Sequence, residues 1–171
     1  MTNGILYDII KILKERLKLM NKVIYFDMDG TVADLYGVDN WLENLKAYNP
    51  RPYIKAKPLV DMVELERVCM ALMRKGYDIE VITWLSKDST PEYDTKVIKA
   101  KLDWLDQYMP YITNYHPCPY GTPKHTVVKK SSLMVLVDDN EQVRKMWNTP
   151  KQRISIDANK DIISELWKLV G

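Results

Sequence analysis

Short, continuous apolar runs alternate along the chain with longer segments in which apolar residues recur every three or four positions. A short apolar run bounded by turn residues is typical of a buried parallel strand. The runs that fit this description are Lys22–Phe26, Ile79–Thr83, a weaker Tyr111–Tyr115, Leu133–Val137 and Arg153–Ile156. We therefore predict about five strands, each separated from the next by enough chain to hold a helix.

The segments between these runs have helical spacing. They are Leu59–Arg74, Thr95–Tyr108, Glu141–Trp147 and, after the last run, Lys160–Val170. Gly76 and Pro110 follow the first two segments, where helices commonly stop. Strands that alternate with helices and lie too far apart for hairpins indicate parallel pairing with right-handed crossovers. The predicted fold is a three-layer, Rossmann-like α/β domain with helices on both faces of the sheet.

The first 20 residues form a separate prediction. Apolar residues from Ile5 to Leu17 recur at helical spacing with basic residues between them, which predicts an amphipathic helix. Such a helix most often covers a core, and a membrane-surface or partner helix is the alternative. Met20 is a plausible internal start, so we predict residues 1–20 as a possible extension and 21–171 as the main domain.

Composition narrows the class of protein. Of the 171 residues, 46% are hydrophobic and 28% charged, which excludes a disordered or collagen-like chain. The net charge of only +2 argues against stable binding to a nucleic-acid backbone. Cys69 and Cys118 are too few for a disulfide framework and fit a reducing compartment. No apolar run approaches the roughly 20 residues of a membrane span, and the N-terminus does not resemble a signal peptide, so we predict a soluble, cytoplasmic protein.

Polar residues follow three of the predicted strands. Asp27 and Asp29 come after the first, Thr83 ends the second, and Asp138 and Asp139 come after the fourth. Carboxyl ends of parallel strands meet at one edge of the sheet, where ligands bind. A lone aspartate there is more often a turn or cap residue, but clustered carboxylates repel one another unless a cation neutralises them. Oxygen ligands without His or Cys favour Mg²⁺, and such a site suggests phosphoryl chemistry.

The two residues that directly follow Asp29, Gly30 and Thr31, extend this prediction to the binding of a phosphate. Gly30 permits an unusual backbone angle directly after the strand. Its amide and that of Thr31 are predicted to point at a phosphate oxygen.

The segment Asp27-Met28-Asp29-Gly30-Thr31-Val32 resembles the DxDGT signature of the haloacid dehalogenase (HAD) superfamily of phosphatases, and it follows a hydrophobic strand as in that family. Thr83 resembles the second motif of the family and Asp138-Asp139 the fourth. The resemblance spans about residues 21–147.

The resemblance implies a role for each motif. Asp27 would attack phosphorus and form an aspartyl-phosphate, and Asp29 would act as the acid and base. Mg²⁺ would be held by the Asp27 carboxylate, the backbone carbonyl of Asp29 and the Asp138/Asp139 pair, with the direct ligand of that pair left open. Thr83 would hydrogen-bond the phosphoryl group, and a lysine would neutralise it.

The lysine has two main candidates, Lys101 and then Lys124. The stretch Lys101-Leu102-Asp103-Trp104 resembles the segment of 5'(3')-deoxyribonucleotidases in which a catalytic lysine precedes a tryptophan by three residues. Thr126-Val127-Val128 also has a counterpart there. Trp84 directly follows Thr83, which predicts its backbone at the phosphate site and its ring either in the pocket or in the core.

A cap over the site has room only at about residues 34–58, which is shorter than the helical cap of the deoxyribonucleotidases. Its prolines indicate a stiff connector rather than a long helix. Its aromatic and basic residues would stack on a base and attract a phosphate, or the rings would pack the cap against the domain. These residues are Tyr36, Trp41, Tyr48, Tyr53, Arg51, Lys55 and Lys57. His116 and His125 have no metal-ligand spacing and are predicted as loop residues.

The sequence and the resemblance together predict a Mg²⁺-dependent phosphomonoesterase, a 5'-nucleotidase whose small-molecule substrates are nucleoside 5'-monophosphates, including deoxynucleotides. One alternative keeps the chemistry and changes the substrate to a sugar phosphate or the 3'-phosphate end of a nucleic acid. Another is a binding protein that retains the fold without turnover.

Overall fold

A central parallel sheet organises the molecule. The computed structural model describes residues 22–129, 131–148 and 153–171, and the helix predicted over residues 1–20 lies outside that part of the chain. Within it, five strands pair in the order β5-β4-β1-β6-β7. They are β1 (Lys22–Phe26), β4 (Tyr77–Trp84), β5 (Asn114–Cys118), β6 (Leu133–Asp138) and β7 (Arg153–Asp157). All neighbouring strands run parallel, as the alternating pattern predicts.

Helices follow the strands and cover both faces of the sheet. They are α1 (Trp41–Lys46), α2 (Arg51–Lys55), α3 (Met62–Arg74), α4 (Pro91–Tyr108), α5 (Glu141–Trp147) and α6 (Ile162–Val170). The predicted three-layer α/β fold is confirmed.

Side chains cap the first turns of the longer helices. Asp61 and Asn140 each accept from two backbone amides at the start of α3 and α5. Thr90 and Asp161 each accept from one amide at the start of α4 and α6. A side-chain oxygen at this position satisfies amides that have no partner within the helix.

The two faces of the sheet carry separate cores because side chains alternate along each strand. Ile24, Phe26 and Val135 belong to one cluster with residues of α3, α4 and α6. Tyr25 and Leu136 belong to the other, which includes Trp147 of α5.

The predicted strand over Tyr111–Tyr115 is wrong in its position, because β5 runs from Asn114 to Cys118. Tyr111 is 9% exposed and belongs to the core beside α3, and pairing with β4 begins only where the Thr113 amide donates to the Ile79 carbonyl. His116 therefore lies in a strand and not in a loop, and its Nε2 is 2.6 Å from Oε2 of Glu80.

Helix α4 begins four residues before the predicted Thr95. Pro91 occupies its first turn, where a missing amide proton costs nothing. Strand β4 likewise extends beyond the predicted Ile79–Thr83 at both ends.

An excursion between β1 and α3 covers one end of the sheet. It leaves through β2 (Ala33–Asp34) and returns through β3 (Lys57–Pro58), which pair antiparallel. Between them lie α1, which buries no residue, and α2, which buries Pro52 and Tyr53. Among the described residues, no helix is both long and apolar enough to cross a bilayer.

Candidate active site

The predicted polar residues do meet at the carboxyl edge of the sheet. Asp27 directly follows β1, and its amide donates to the Val137 carbonyl of β6 at 2.8 Å. Thr83 lies near the end of β4, on the other side of β1. Asp138 ends β6 and Asp139 follows it. The parallel register thus brings together residues that are more than 100 positions apart in the chain.

Three carboxylates form the centre of this site. Asp27, Asp138 and Asp139 each present an oxygen within 4.8 Å of the others, and Asp138 is 1% exposed. Burial, and then the nearby charge of Asp27, raises the pKa of Asp138 to about 6. The same two causes raise the pKa of Asp139. Such a compact set of hard oxygen donors is compatible with a divalent cation.

Lys124 lies directly on this carboxylate cluster. Its Nζ is 2.5 Å from Oδ1 of Asp27 and 2.6 Å from Oδ2 of Asp138, and the residue is 3% exposed. Burial by itself lowers the pKa of this ammonium, but the two carboxylates outweigh it and leave the pKa above its usual value. Lys124 is therefore a buried, charged group of the site. It lies at the start of the short 3₁₀ turn Lys124–Thr126.

Lys101 occupies the other side of the site. It is fully buried on α4, and its Nζ donates to Asp29 Oδ2 at 2.5 Å, to Thr83 Oγ1 at 2.8 Å and to the Trp84 carbonyl at 3.1 Å. Burial raises the pKa of Asp29, while the Lys101 charge opposes that rise. Both lysines considered from the sequence therefore lie in the site, each on a different aspartate of the DxDGT motif.

The turn after β1 requires glycine at position 30. Gly30 has a φ of +80°, and a Cβ there would lie 2.7 Å from Oδ2 of Asp139 and 2.8 Å from the Tyr36 ring. The Gly30 amide donates to the Ala33 carbonyl and the Thr31 amide to the Met28 carbonyl. The sequence assigns these amides to a phosphate oxygen, whereas here both donate inside the turn. The Thr31 hydroxyl accepts from the Asp139 amide at 3.1 Å.

A cavity of about 280 Å³ opens above the carboxylates. Tyr36 and Trp41 form one aromatic pair on its wall, with ring centroids 5.0 Å apart. Trp84 and Tyr120 form a second pair, 5.1 Å apart. The Trp84 indole donates to the Thr122 carbonyl, and Nζ of Lys124 lies 5.5 Å from its ring centroid.

Of the other candidates of the cap, Tyr53 also lines this cavity, and the rest pack elsewhere or lie at the outer surface. Tyr53 is buried, and its hydroxyl hydrogen-bonds that of Ser86 at 2.6 Å. Tyr48 packs edge-on against Tyr93. The predicted basic residues of the cap do not line the cavity above the carboxylates. They line a separate surface groove, and they are Arg51, Lys55 and Lys57.

Sequence reasoning missed several residues that line or support the site. Tyr120, Ser86 and Asn140 line the cavity. Tyr120 lies in the Pro119–Pro123 turn segment just before Lys124, which is a signal that the sequence offers. His125 lies in the 3₁₀ turn beside a smaller cavity of about 110 Å³ behind Trp84.

Comparison with known proteins gives a distant likeness to nucleotidases. The chain is 29% identical over 120 aligned residues to a 5'(3')-deoxyribonucleotidase of Bacillus subtilis (strain 168) and equally to one of Bacillus phage SPbeta. In each case the match covers 54% of this chain and 64% of the relative, so the chain spans less than two thirds of the relatives' length. No protein-family model matches the chain.

Proposed function

We propose that this protein is a Mg²⁺-dependent phosphomonoesterase that acts through an aspartyl-phosphate on Asp27. The observation that carries the proposal is the meeting of Asp27, Asp138 and Asp139 with Asp29 and two buried lysines at one edge of the sheet. The deoxyribonucleotidase name of the distant relatives supports nucleotide phosphatase chemistry in general.

The carboxylates of Asp27, Asp138 and Asp139, together with the Asp29 backbone carbonyl, are the groups that would hold the metal. When bound, Mg²⁺ supplies positive charge that orients a phosphate and offsets the charge of its oxygens. Burial and the nearby charge of Asp27 raise the pKa values of Asp138 and Asp139, and a divalent cation bound there would offset this repulsion.

The reaction has two steps. An oxygen of Asp27 attacks phosphorus, the ester P–O bond breaks, and Asp29 gives a proton to the leaving oxygen. Asp29 then takes a proton from a water that attacks the aspartyl-phosphate, which releases inorganic phosphate and restores Asp27. A raised pKa at Asp29 suits this exchange because the group must hold a proton in one step and accept one in the next.

Thr83 and the two lysines are the proposed phosphoryl-binding groups. Thr83 and Lys101 already hydrogen-bond each other next to Asp29, and Lys124 contacts Asp27. Positive charge on both sides of the nucleophile would stabilise the negative oxygens of the transferring group. The Trp84 carbonyl accepts a hydrogen bond from the Lys101 ammonium and holds it in place. We therefore count the Trp84 backbone with these phosphoryl-binding residues.

The cavity walls support a nucleoside monophosphate as substrate. Aromatic rings on both walls offer faces on which a base stacks, and each stacked base contributes about 1–3 kcal/mol to binding. Tyr36 and Trp41 come from the excursion over residues 34–58, which we propose to be the cap of a catalytic domain over residues 21–171. Both cysteines are free and buried, which is compatible with the cytoplasmic location that we also propose.

The first experiment is a panel of phosphomonoesters assayed with MgCl₂ and with EDTA. It contains nucleoside and deoxynucleoside 5'- and 3'-monophosphates, sugar phosphates and a 3'-phosphorylated oligonucleotide. We expect nucleotide hydrolysis that requires Mg²⁺. Turnover of sugar phosphates alone would reject the nucleotide substrate, and no turnover of any member would reject the phosphatase.

The second experiment tests the nucleophile. Asp27→Asn should lower kcat at least 1,000-fold while the protein still folds, and trapped ³²P-aspartyl-phosphate should disappear. Asp103→Asn changes an exposed aspartate that pairs with Lys99 and is the matched control, with unchanged kcat. Full activity of Asp27→Asn would reject the covalent mechanism.

A further inference from the structure

Three side chains outside the proposed catalytic set lie behind Asp138 and Asp139, at the end of β6. They are Arg144 on α5, Asp157 at the end of β7, and Asn159 just beyond it. Two of them, Arg144 and Asn159, donate hydrogen bonds to the backbone carbonyls of Asp138 and Asp139.

Arg144 fixes the first of these carbonyls. Its Nη1 donates to the Asp138 carbonyl at 2.8 Å and lies 3.1 Å from Oδ1 of Asp157. The side chain is 12% exposed, so most of it is withdrawn from water. The Ala158 amide donates to the same carbonyl at 3.1 Å, which leaves the peptide after Asp138 little freedom to rotate.

Asn159 fixes the second carbonyl. Its Nδ2 donates to the Asp139 carbonyl at 2.8 Å and to Oδ1 of Asp157 at 3.0 Å. Asp157 therefore contacts both donors, the Arg144 guanidinium and the Asn159 side-chain amide. Burial tends to raise the pKa of Asp157, but the hydrogen bonds from Asn159 and the charge of Arg144 outweigh it and leave the pKa lowered, so Asp157 is ionised near neutral pH.

We infer that Arg144 and Asn159 are positioning residues of the metal site: they set the direction of the Asp138 and Asp139 carboxylates by holding their backbone carbonyls. This inference rests on the proposed function, because it assigns those carboxylates to Mg²⁺. Both side chains approach from the side of the carbonyls, so they act on the cation only through the backbone. Groups that orient metal ligands in this way typically change metal affinity 10- to 100-fold when they are removed.

The test is direct titration of the metal-free protein with MgCl₂ by calorimetry, without substrate. Arg144→Met should weaken Mg²⁺ binding about 10-fold. Loss of a positive charge near the site would by itself strengthen cation binding, so weaker binding reports lost positioning. Arg144→Lys, which keeps the charge and a donor, should recover part of the affinity.

Lys145→Met is the matched control, since Lys145 is the next residue on α5 and pairs with Glu141 at the surface. It removes the same charge and should not weaken binding. Asn159→Ala removes the hydrogen bond to the Asp139 carbonyl without a change of charge. If Arg144→Met does not fold, the positioning role is tested with Asn159→Ala alone. Its Mg²⁺ binding should also weaken about 10-fold, and its half-saturating Mg²⁺ for turnover should rise while kcat at saturating Mg²⁺ recovers.

The outcomes separate the two ideas. Wild-type affinity for Mg²⁺ in Arg144→Met and Asn159→Ala, with only a lower Tm, would overturn the positioning role and leave the proposed function intact. No Mg²⁺ binding by the unaltered protein would overturn the proposed function, and the positioning role with it.

Discussion

The candidate site requires glycine at position 30, because there is no space for a Cβ atom there. Its positive φ strains any other residue, and a Cβ would meet both Asp139 and Tyr36. Gly30→Ala should therefore lower the free energy of unfolding by about 2–4 kcal/mol, since the backbone strain alone costs about 1–2, and it should displace Asp139. Urea unfolding and calorimetric titration with MgCl₂ measure the two effects.

Gly76 is the matched control for this change. It has a φ of +83°, but nothing lies within 4 Å of its Cβ position. Gly76→Ala should show the strain alone, about 1–2 kcal/mol, with unchanged Mg²⁺ binding. Equal losses in the two variants would show that the contact with Asp139 has no consequence.

Lys101 and Lys124 illustrate what a sequence predicts about individual residues and what it does not. The DxDGT motif indicates a lysine near its aspartates, and spacing to Trp104 favours Lys101. Spacing does not reveal that each lysine pairs with a different aspartate, because that pairing depends on how α4 and the 3₁₀ turn meet over the sheet edge.

Loss of Lys101 should be costly for both folding and activity. Lys101→Met leaves Asp29, whose side chain is only 16% exposed, without its cation, so we expect about 3 kcal/mol of destabilisation and at least a 100-fold loss of kcat. Lys99→Met on the same helix, which removes an exposed pair with Asp103, should cost under about 1 kcal/mol. Full activity of Lys101→Met, with none in Lys124→Met, would reject the role of Lys101.

At the scale of elements, the segments with strong periodicity were predictable and the excursion was not. Helix α3 ends at Arg74 as predicted, because its apolar spacing and the Gly76 stop agree. Strand β5 was misplaced by three residues because the aromatic Tyr111 belongs to the core beneath the sheet rather than to the strand. The helices of the excursion, α1 and α2, have only six and five residues, which is too short for an apolar period to define them, and α2 packs against α4.

One contact of the excursion is a buried hydrogen bond between α2 and the segment that directly follows β4. The Tyr53 hydroxyl bonds Ser86, and both residues are buried. Tyr53→Phe leaves the Ser86 hydroxyl without this partner, so the free energy of unfolding should fall by about 1–3 kcal/mol. Cleavage of the excursion by a protease should become faster.

Tyr48→Phe is the control for this element. Tyr48 is 47% exposed, and its hydroxyl bonds the Asp88 carbonyl at 3.3 Å where water can replace it. We expect a change under about 0.5 kcal/mol. If Tyr53→Phe were equally mild in urea unfolding and proteolysis, the attachment of α2 would rest on apolar contact alone.

At the scale of the whole molecule, burial and mutual repulsion of the carboxylates at the acidic edge cost free energy, which a bound cation would offset. The folded pKa of Asp138, about 6, is well above the ordinary value of 3.8 for an aspartate. The folded state then binds more protons than the unfolded state between about pH 4 and 6, so stability conferred by protonated Asp138 is lost as the pH rises through that range. Asp29 and Asp139, whose pKa values are also raised, act in the same direction.

Added MgCl₂ should therefore raise the Tm little at pH 4.5 and much more at pH 7, where Asp138 is ionised. Without metal, Asp138→Asn should lose less stability than the unaltered protein between these pH values, by about 2 kcal/mol, because most of the free energy of a pKa difference of about two units is lost within this pH range. The comparison between the two proteins cancels the titration of surface carboxylates, which they share. Parallel stability curves would mean that Asp138 titrates near its ordinary value, and the acidic edge would then have no electrostatic need of a cation.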